Sequence, residues 1–305
     1  MRFGVQLQAQ RTTWHAFATA LATVEQLGFD TVWTFDHLLP FSGPDDGAAF
    51  ETLTTLGAMA ALTSRIRVGA LVNGVMYRDP ATLAKGAALV DQISDGRLEF
   101  SLGAAWAERE FHAYGLPYPA LQERYDRLDE ALQIVKSLWT QPRTTFRGRY
   151  YEVNDAPFAP KPVQQPHPPI MIGGSGRGSL RMAAKHATSW NGQGTPEKAA
   201  ARAALLETLC GEAGRDFADI ELSWHGQTAI AATHDEAETE AARAMAEHGQ
   251  AYNPDGWMIG TPDEVIEQFR AYAAVGFSHW IVGVGHPFDT GSLRLLAEQV
   301  IPALR

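Results

Sequence analysis

Three groups of residues in this 305-residue chain have types and spacing suited to chemistry. The first is HPPIMIGGSGRGSLRMAAKHATSWNG, His167 to Gly192, where Gly173, Gly174, Gly176 and Gly178 surround Ser175. The apolar run Ile170–Ile172 reads as a buried strand. Leu180, Met182, Ala183 and Ala184 follow at helical spacing, so the glycines sit at a strand-to-helix junction. Such a junction leaves backbone N–H groups at the positive end of a helix, and residues without side chains let an anion approach them. A phosphate cradle and a tight turn without ligand both fit this pattern. No Lys-Ser or Lys-Thr pair follows the glycines, which rules out a nucleoside-triphosphate loop. The mid-chain position, with no acidic residue ending a following strand, argues against a dinucleotide fold.

The second group is Asp36-His37, at the end of an apolar run. Such a pair can be surface decoration or a helix N-cap. It can equally present an imidazole whose pKa suits proton exchange near neutrality. The third is Glu108 and Glu110, just beyond Trp106. On a short helix both can be solvated, with Arg109 pairing one of them. A working carboxylic acid there needs a raised pKa, hence a partly desolvated place beside Trp106. His225, His279 and His286 show no metal-ligand spacing, and no metal is expected.

The elements that must position these groups alternate. Strands are expected at Phe3–Leu7, Thr31–Phe35, Ile66–Val72, Leu98–Leu102, Ile170–Ile172, Ala187–Trp190, Ile220–Ile230 and Trp280–Val284, with helices between them. A glycine-rich loop spans Ser42–Gly47. From about 140 to 169 prolines cluster, and TTFRGRYYEV reads as a hairpin turning at Gly148. This is an excursion within one domain, residues 1–305, because alternation resumes after it. Eight strands with intervening helices indicate a (β/α)8 TIM barrel with an insertion after the fourth helix; an open doubly wound sheet is the runner-up. The barrel is favoured because Gln8, Asp36-His37, Asn73, Trp106, Gly174-Ser175, Asn191 and His286 all follow strand ends, which converge only in a barrel.

Composition narrows the partners. With 25 Lys and Arg against 35 Asp and Glu, the formal charge of −10 speaks against nucleic acid. Local donors can still hold a small anion. Cys210 is the only cysteine, so no internal disulfide forms and a reducing cytoplasm fits. No apolar run approaches membrane-spanning length. A small-molecule substrate is the expected partner.

Taken together, FDHLL, VGALVNGVMYRDPATLAK, ISDGRLEFSLGAAWAEREFHAYG, PPIMIGGSG and SWNG resemble the luciferase-like monooxygenase superfamily, most closely its coenzyme F420-dependent oxidoreductases. The likeness runs in order from the first strand to the eighth. It implies a flavin-type oxidoreductase that transfers a hydride between F420 and an unidentified organic substrate. The alternatives are an FMN-dependent monooxygenase of the same superfamily and a cofactor-free barrel with a binding role. The resemblance makes His37 a catalytic or ring-contacting residue supported by Asp36, and makes Glu108 the acidic proton carrier, with Glu110 as second choice. It gives Leu71, Val72, Asn73, Gly173, Gly174, Ser175, Gly176, Trp190 and Asn191 to the cofactor, whose phosphate the glycine loop would take. It implies a non-prolyl cis peptide between Leu71 and Val72, and a homodimer. Arg124 and Arg127 read as ion-pair partners of Glu123 or Glu130. The superfamily's sugar-phosphate dehydrogenases carry a tryptophan where this chain has Phe41, which counts against a phosphosugar substrate.

Overall fold

Parallel strands covered by helices outside and filled with side chains inside need apolar residues on both faces, and the strands of this chain supply them. The structure, a computed structural model, describes residues 1–41, 46–248 and 256–305. Most of the glycine-rich loop expected at Ser42–Gly47 lies outside the described residues. The strands are β1 (Arg2–Leu7), β2 (Thr31–Thr34), β3 (Arg67–Ala70), β4 (Leu98–Leu102), β5 (Arg143–Arg147), β6 (Glu152–Pro157), β7 (Ile170–Gly173), β8 (Ser189–Gly192), β9 (Glu221–Ile230), β10 (Trp257–Gly260) and β11 (Phe277–Val284). Eight of them close a parallel barrel in the order β1-β2-β3-β4-β7-β8-β9-β11, with β11 returning to β1. It is the (β/α)8 barrel expected from the alternation.

Two differences from the sequence reading have physical causes. The third strand ends at Ala70, because Leu71 to Asn73 leave the ladder to line the barrel mouth. β10 was not foreseen; it pairs with the far half of the ten-residue β9, beyond the barrel wall.

The helices are α1 (Trp14–Gln26), α2 (Thr52–Leu62), α3 (Pro80–Ile93), α4 (Glu108–Ala113), α5 (Leu121–Thr140), α6 (Arg177–His186), α7 (Pro196–Ala213), α8 (His234–His248) and α9 (Pro262–Ala273), before a final helical run from Thr290 to Leu304. Their starts are written in the sequence. Asp79, Thr195 and Thr261 cap helices whose first residue is proline, and Thr261 with Glu264 forms a reciprocal capping box.

The barrel interior has three layers. At the N-terminal end lies an ionic floor. Arg2 bonds Glu99 and lies 3.0 Å from Glu221, Arg67 lies 2.6 Å from Glu99, and His279 Nε2 lies 2.9 Å from the Thr31 hydroxyl. Above it Trp33, Met171 and Ile281 pack with Leu71 as an apolar plug. The third layer, at the C-terminal end, is open and polar.

The excursion is a β5–β6 antiparallel hairpin, closed by Gly148 N–H donating to Tyr151 O (3.0 Å). Two carboxylates bind this stretch to the helices. Glu130 on α5 accepts from the backbone N–H groups of Arg149, Tyr150 and Tyr151. Asp91 on α3 is fully buried and accepts from the N–H groups of Val163 (2.7 Å) and Gln164 (3.0 Å) and from the Gln164 amide (2.7 Å). Removing a partner from buried donors leaves them desolvated at about 1–3 kcal/mol each. Asp91→Ala is therefore expected to destabilise the protein by at least about 2 kcal/mol in denaturant unfolding. It should also speed amide hydrogen exchange at Val163 and Gln164. Unchanged exchange there would mean that the excursion is held elsewhere.

Candidate active site

A cavity of about 840 Å³ opens at the C-terminal end of the barrel. Of the residues expected at strand ends, Gln8, Asp36, His37, Asn73, Trp106, Gly174, Ser175 and Asn191 line it, and His286 does not.

One wall is organised around a buried carboxylate. Glu110, on the short helix α4, has no solvent exposure. Its Oε1 lies 2.7 Å from His37 Nδ1, while its Oε2 accepts from Leu38 N–H (2.9 Å) and from the Tyr77 hydroxyl (2.7 Å). The Tyr77 ring stacks on Phe111, the residue after Glu110, with centroids 4.8 Å apart and planes at 11°. Burial acts to raise the Glu110 pKa. The bonds from His37, Leu38 and Tyr77 outweigh it and hold the carboxyl below its usual range. The same site pushes the Tyr77 phenol up, first by burial and then by the adjacent carboxylate. Glu110 is thus an ionised acceptor. With Glu110 as acceptor, His37 donates from Nδ1, and its Nε2 has no protein partner among the described residues. Phe35, Phe41 and Trp106 surround the imidazole with centroids 5.3 to 5.5 Å from it, and Trp106, 65% exposed, forms the rim.

The opposite wall is the glycine loop. Gly173, Gly174, Ser175 and Gly176 line the cavity ahead of α6. Gly174 has φ +117°, and a Cβ there would fall 2.5 Å from Ser179 Oγ, so no other residue fits without movement. Trp190 Nε1 donates to Gly174 O (2.9 Å) and fixes the loop from behind. Gly176 caps α6 without a side-chain hydrogen bond. Arg124, from the first turn of α5, reaches the same cavity. Its guanidinium donates to Ala105 O (2.7 Å), lies 4.1 Å from the Tyr118 ring centroid, and keeps a buried Nε without a partner among the described residues.

Between the walls Leu71, Val72 and Asn73 form the floor. The Leu71–Val72 peptide is cis, as the resemblance implied. Gln6 donates to Leu71 O (3.2 Å). Asn73 Nδ2 donates to Ser101 O (3.0 Å), while its Oδ1 is buried with no partner among the described residues. Asn191 donates to Ser223 Oγ (3.0 Å).

Four expectations need correction. Glu108, the first choice for the proton carrier, faces solvent with a side chain 62% exposed and lies 3.8 Å from His112; the α4 register turns Glu110 inward instead. Asp36 does not support His37. Its Oδ2 accepts from Gly74 N–H (2.9 Å) and Arg78 (2.7 Å), bracing the segment after β3, and Glu110 takes the imidazole. Trp190 does not line the cavity, since its indole is fully buried behind Gly174. The expected raised acid is absent as well, because Glu110 is shifted downward.

Sequence reasoning missed the Tyr77 hydroxyl, Arg124, and the polar group Gln193, His225 and Gln227. Arg127 makes the helix pair with Glu123 (2.8 Å), whereas Arg124 reaches into the cavity. A signal for the polar group existed. His225 and Gln227 stand two apart on a buried strand, where period two puts both on the inner face.

Comparison with known proteins agrees with this architecture. The family model described as luciferase-like monooxygenase matches residues 1–279. An F420-dependent glucose-6-phosphate dehydrogenase of Microbacterium testaceum (strain StLB037) is 29% identical, the match covering 100% of this chain and 98% of that one. An FMNH(2)-dependent dimethylsulfone monooxygenase of Pseudomonas putida is 34% identical over 178 residues, 58% of this chain and 48% of that one. The coenzyme F420-dependent tetrahydromethanopterin reductase of Methanopyrus kandleri superposes with a TM-score of 0.83 at 21% identity, covering 100% of this chain and 99% of that structure. The chain belongs to the luciferase-like monooxygenase family.

Proposed function

We propose that this protein is an F420-dependent oxidoreductase that moves a hydride between the cofactor and a small organic substrate, with His37 exchanging the accompanying proton. The observation that carries this reading is the His37–Glu110 pair facing a cavity whose opposite wall is a glycine loop. The full-length likeness to an F420-dependent dehydrogenase supports F420 over FMN. The residues fit such a group. Gly174 turns the loop at a positive φ with no room for a Cβ beside Ser179, Gly176 carries no side chain and leaves α6 without a side-chain cap, and Arg124 brings a buried guanidinium to the same cavity; together these suit a phosphate. Leu71, Val72 and Asn73 would underlie the ring system, with the unpartnered Asn73 Oδ1 as an available acceptor.

When bound, F420 supplies a two-electron hydride acceptor or donor. The protein does the rest. Glu110 fixes the tautomer and orientation of His37, so that Nε2 accepts a proton from a substrate hydroxyl or returns it to a carbonyl oxygen. Phe35, Phe41 and Trp106 keep water from that nitrogen.

The same reading takes residues 1–305 as one domain in a cytoplasmic homodimer. Leu62 on α2 and Leu89 and Ile93 on α3 are exposed aliphatic side chains on adjacent helices, which supports a second copy as their cover. Sedimentation at micromolar concentration reads this, and a monomer rejects it.

Titration with F420 and, separately, with FMN tests the cofactor. F420 is expected to bind in the micromolar range or tighter, and Gly174→Val to weaken it at least about tenfold, the equivalent of about 1.4 kcal/mol. Tighter binding of FMN would transfer the reading to the monooxygenases, and unchanged affinity in Gly174→Val would move the phosphate elsewhere.

His37→Ala is expected to lower turnover by about two orders of magnitude or more, with a melting temperature near wild type. Full activity in this variant would sink the proton-transfer role.

Glu110→Gln removes the charge that orients His37 and should lower kcat at least about tenfold. It also carries a pH signature. A carboxyl whose folded pKa is depressed stabilises the fold above its unfolded value and loses that contribution as pH falls through the folded one. Wild type should therefore lose stability below about pH 4.3, the ordinary glutamate value, more steeply than Glu110→Gln. Parallel pH–stability curves would show that Glu110 is not held as an anion.

A further inference from the structure

We propose that the substrate end of this cavity takes an uncharged hydroxyl or carbonyl compound, held by Gln193 and Gln227, and rejects phosphorylated and carboxylated ones. The proposal rests on the oxidoreductase reading and specifies its substrate class.

Charge is distributed unevenly around the cavity. Among the described lining residues Arg124 is the one lysine or arginine, and its guanidinium is held beyond β4 by Ala105 O and the Tyr118 ring. The side built from β1, β9 and the exit of β8 carries Gln6, Gln8, Gln193, His225 and Gln227, all amides or imidazole. The segments outside the described residues, 42–45 and 249–255, contain no lysine or arginine in the sequence. A phosphate or carboxylate entering this end would lose its water with no lysine or arginine among the described lining residues of that side to meet it.

Not every amide is available. Gln6 holds Leu71 O, and Gln8 accepts from Gln10. Gln193 Nε2 lies 3.1 Å from His225 Nδ1, which orients the amide and leaves its oxygen as a further acceptor. Burial lowers the His225 pKa to about 4, so this ring is a neutral partner. Gln227 has no hydrogen-bond partner among the described residues. Its amide occupies space that Gly283 leaves open, since a Cβ there would lie 2.4 Å from Gln227 Nε2. A primary amide both donates and accepts, which matches a hydroxyl or carbonyl oxygen and gives no preference for an anion. His225 is a positioning residue acting through Gln193.

Two measurements test this. The first needs no cofactor. In 15N–1H spectra of the histidine rings, with the His225 signal assigned through His225→Phe, cyclohexanol is expected to shift the His225 signal saturably and glucose 6-phosphate to leave it unmoved. The second uses protein whose F420 loading has been read by fluorescence, so that failure to load counts against the cofactor reading alone. Across 2-propanol, cyclohexanol and glucose, at least one should reduce F420, while glucose 6-phosphate should not. Gln227→Leu and His225→Phe should each raise KM for the active alcohol at least about fivefold, the loss of about one hydrogen bond, with kcat and F420 affinity little changed. Gln227→Lys should gain saturable binding of glucose 6-phosphate. Saturable binding of glucose 6-phosphate by wild type, a His225 ring indifferent to cyclohexanol, or an unchanged KM in Gln227→Leu would overturn the proposal.

Discussion

A carboxylate without solvent must be matched by donors, and Glu110 is matched by three that come from two different loops. His37 and Leu38 follow β2, Tyr77 follows β3, and Glu110 itself follows β4. One side chain thus ties three consecutive barrel exits together. Because the donors outweigh burial, the group stays ionised, and an ionised Glu110 fixes which nitrogen of His37 faces the cavity. The proton chemistry proposed for this wall depends on that single balance. Asp36 does the same for the neighbouring exits, joining the end of β2 to Gly74 and Arg78.

The layered interior explains why such a site stands at this end of the barrel. The floor of arginines and glutamates satisfies itself across β1, β3, β4 and β9, and the plug of Trp33, Met171, Ile281 and Leu71 separates it from the mouth. Polar residues above the plug are not needed by the floor. Several turn to the cavity with capacity left: the free nitrogen of His37 and the Gln227 amide are not consumed by the fold. A protein interior seldom leaves polar groups idle unless a ligand completes them.

The fold was legible in the sequence because parallel-barrel strands are short apolar runs and the helix starts carry their own marks, as at Asp79-Pro80 and Thr261-Pro262. β10 was not, since four residues beside a long strand have no periodicity of their own. Within the site, the glycine loop could be read because Gly174 needs both a positive φ and an empty Cβ position. Glu110 could not be told from Glu108 for a physical reason. Two residues on a one-and-a-half-turn helix differ only by rotation about its axis, and that rotation is set by where Phe111 packs, against Tyr77 and Tyr118. Asp36 misled for a related reason. Adjacency in sequence suggested support for His37, yet both residues lie beyond the end of β2, where Asp36 turns to Gly74 and Arg78 and His37 turns to Glu110.

The three kinds of chemistry occupy different arcs of the mouth. On the proposed reading, proton exchange belongs to the exits of β2, β3 and β4, the anion cradle to β7 with Trp190 of β8 behind it, and the amide wall to β1, β9 and the exit of β8. The arcs are joined through the barrel and share few side chains, so the amide wall can change without disturbing His37 or Gly174. Such a division reconciles two facts about this chain: its likeness covers the whole length of an enzyme named for a phosphorylated sugar, and its own amide wall carries no lysine or arginine among the described residues. Family membership follows from the barrel and its loop. Substrate class is decided by the few residues on one arc, and has to be read from them.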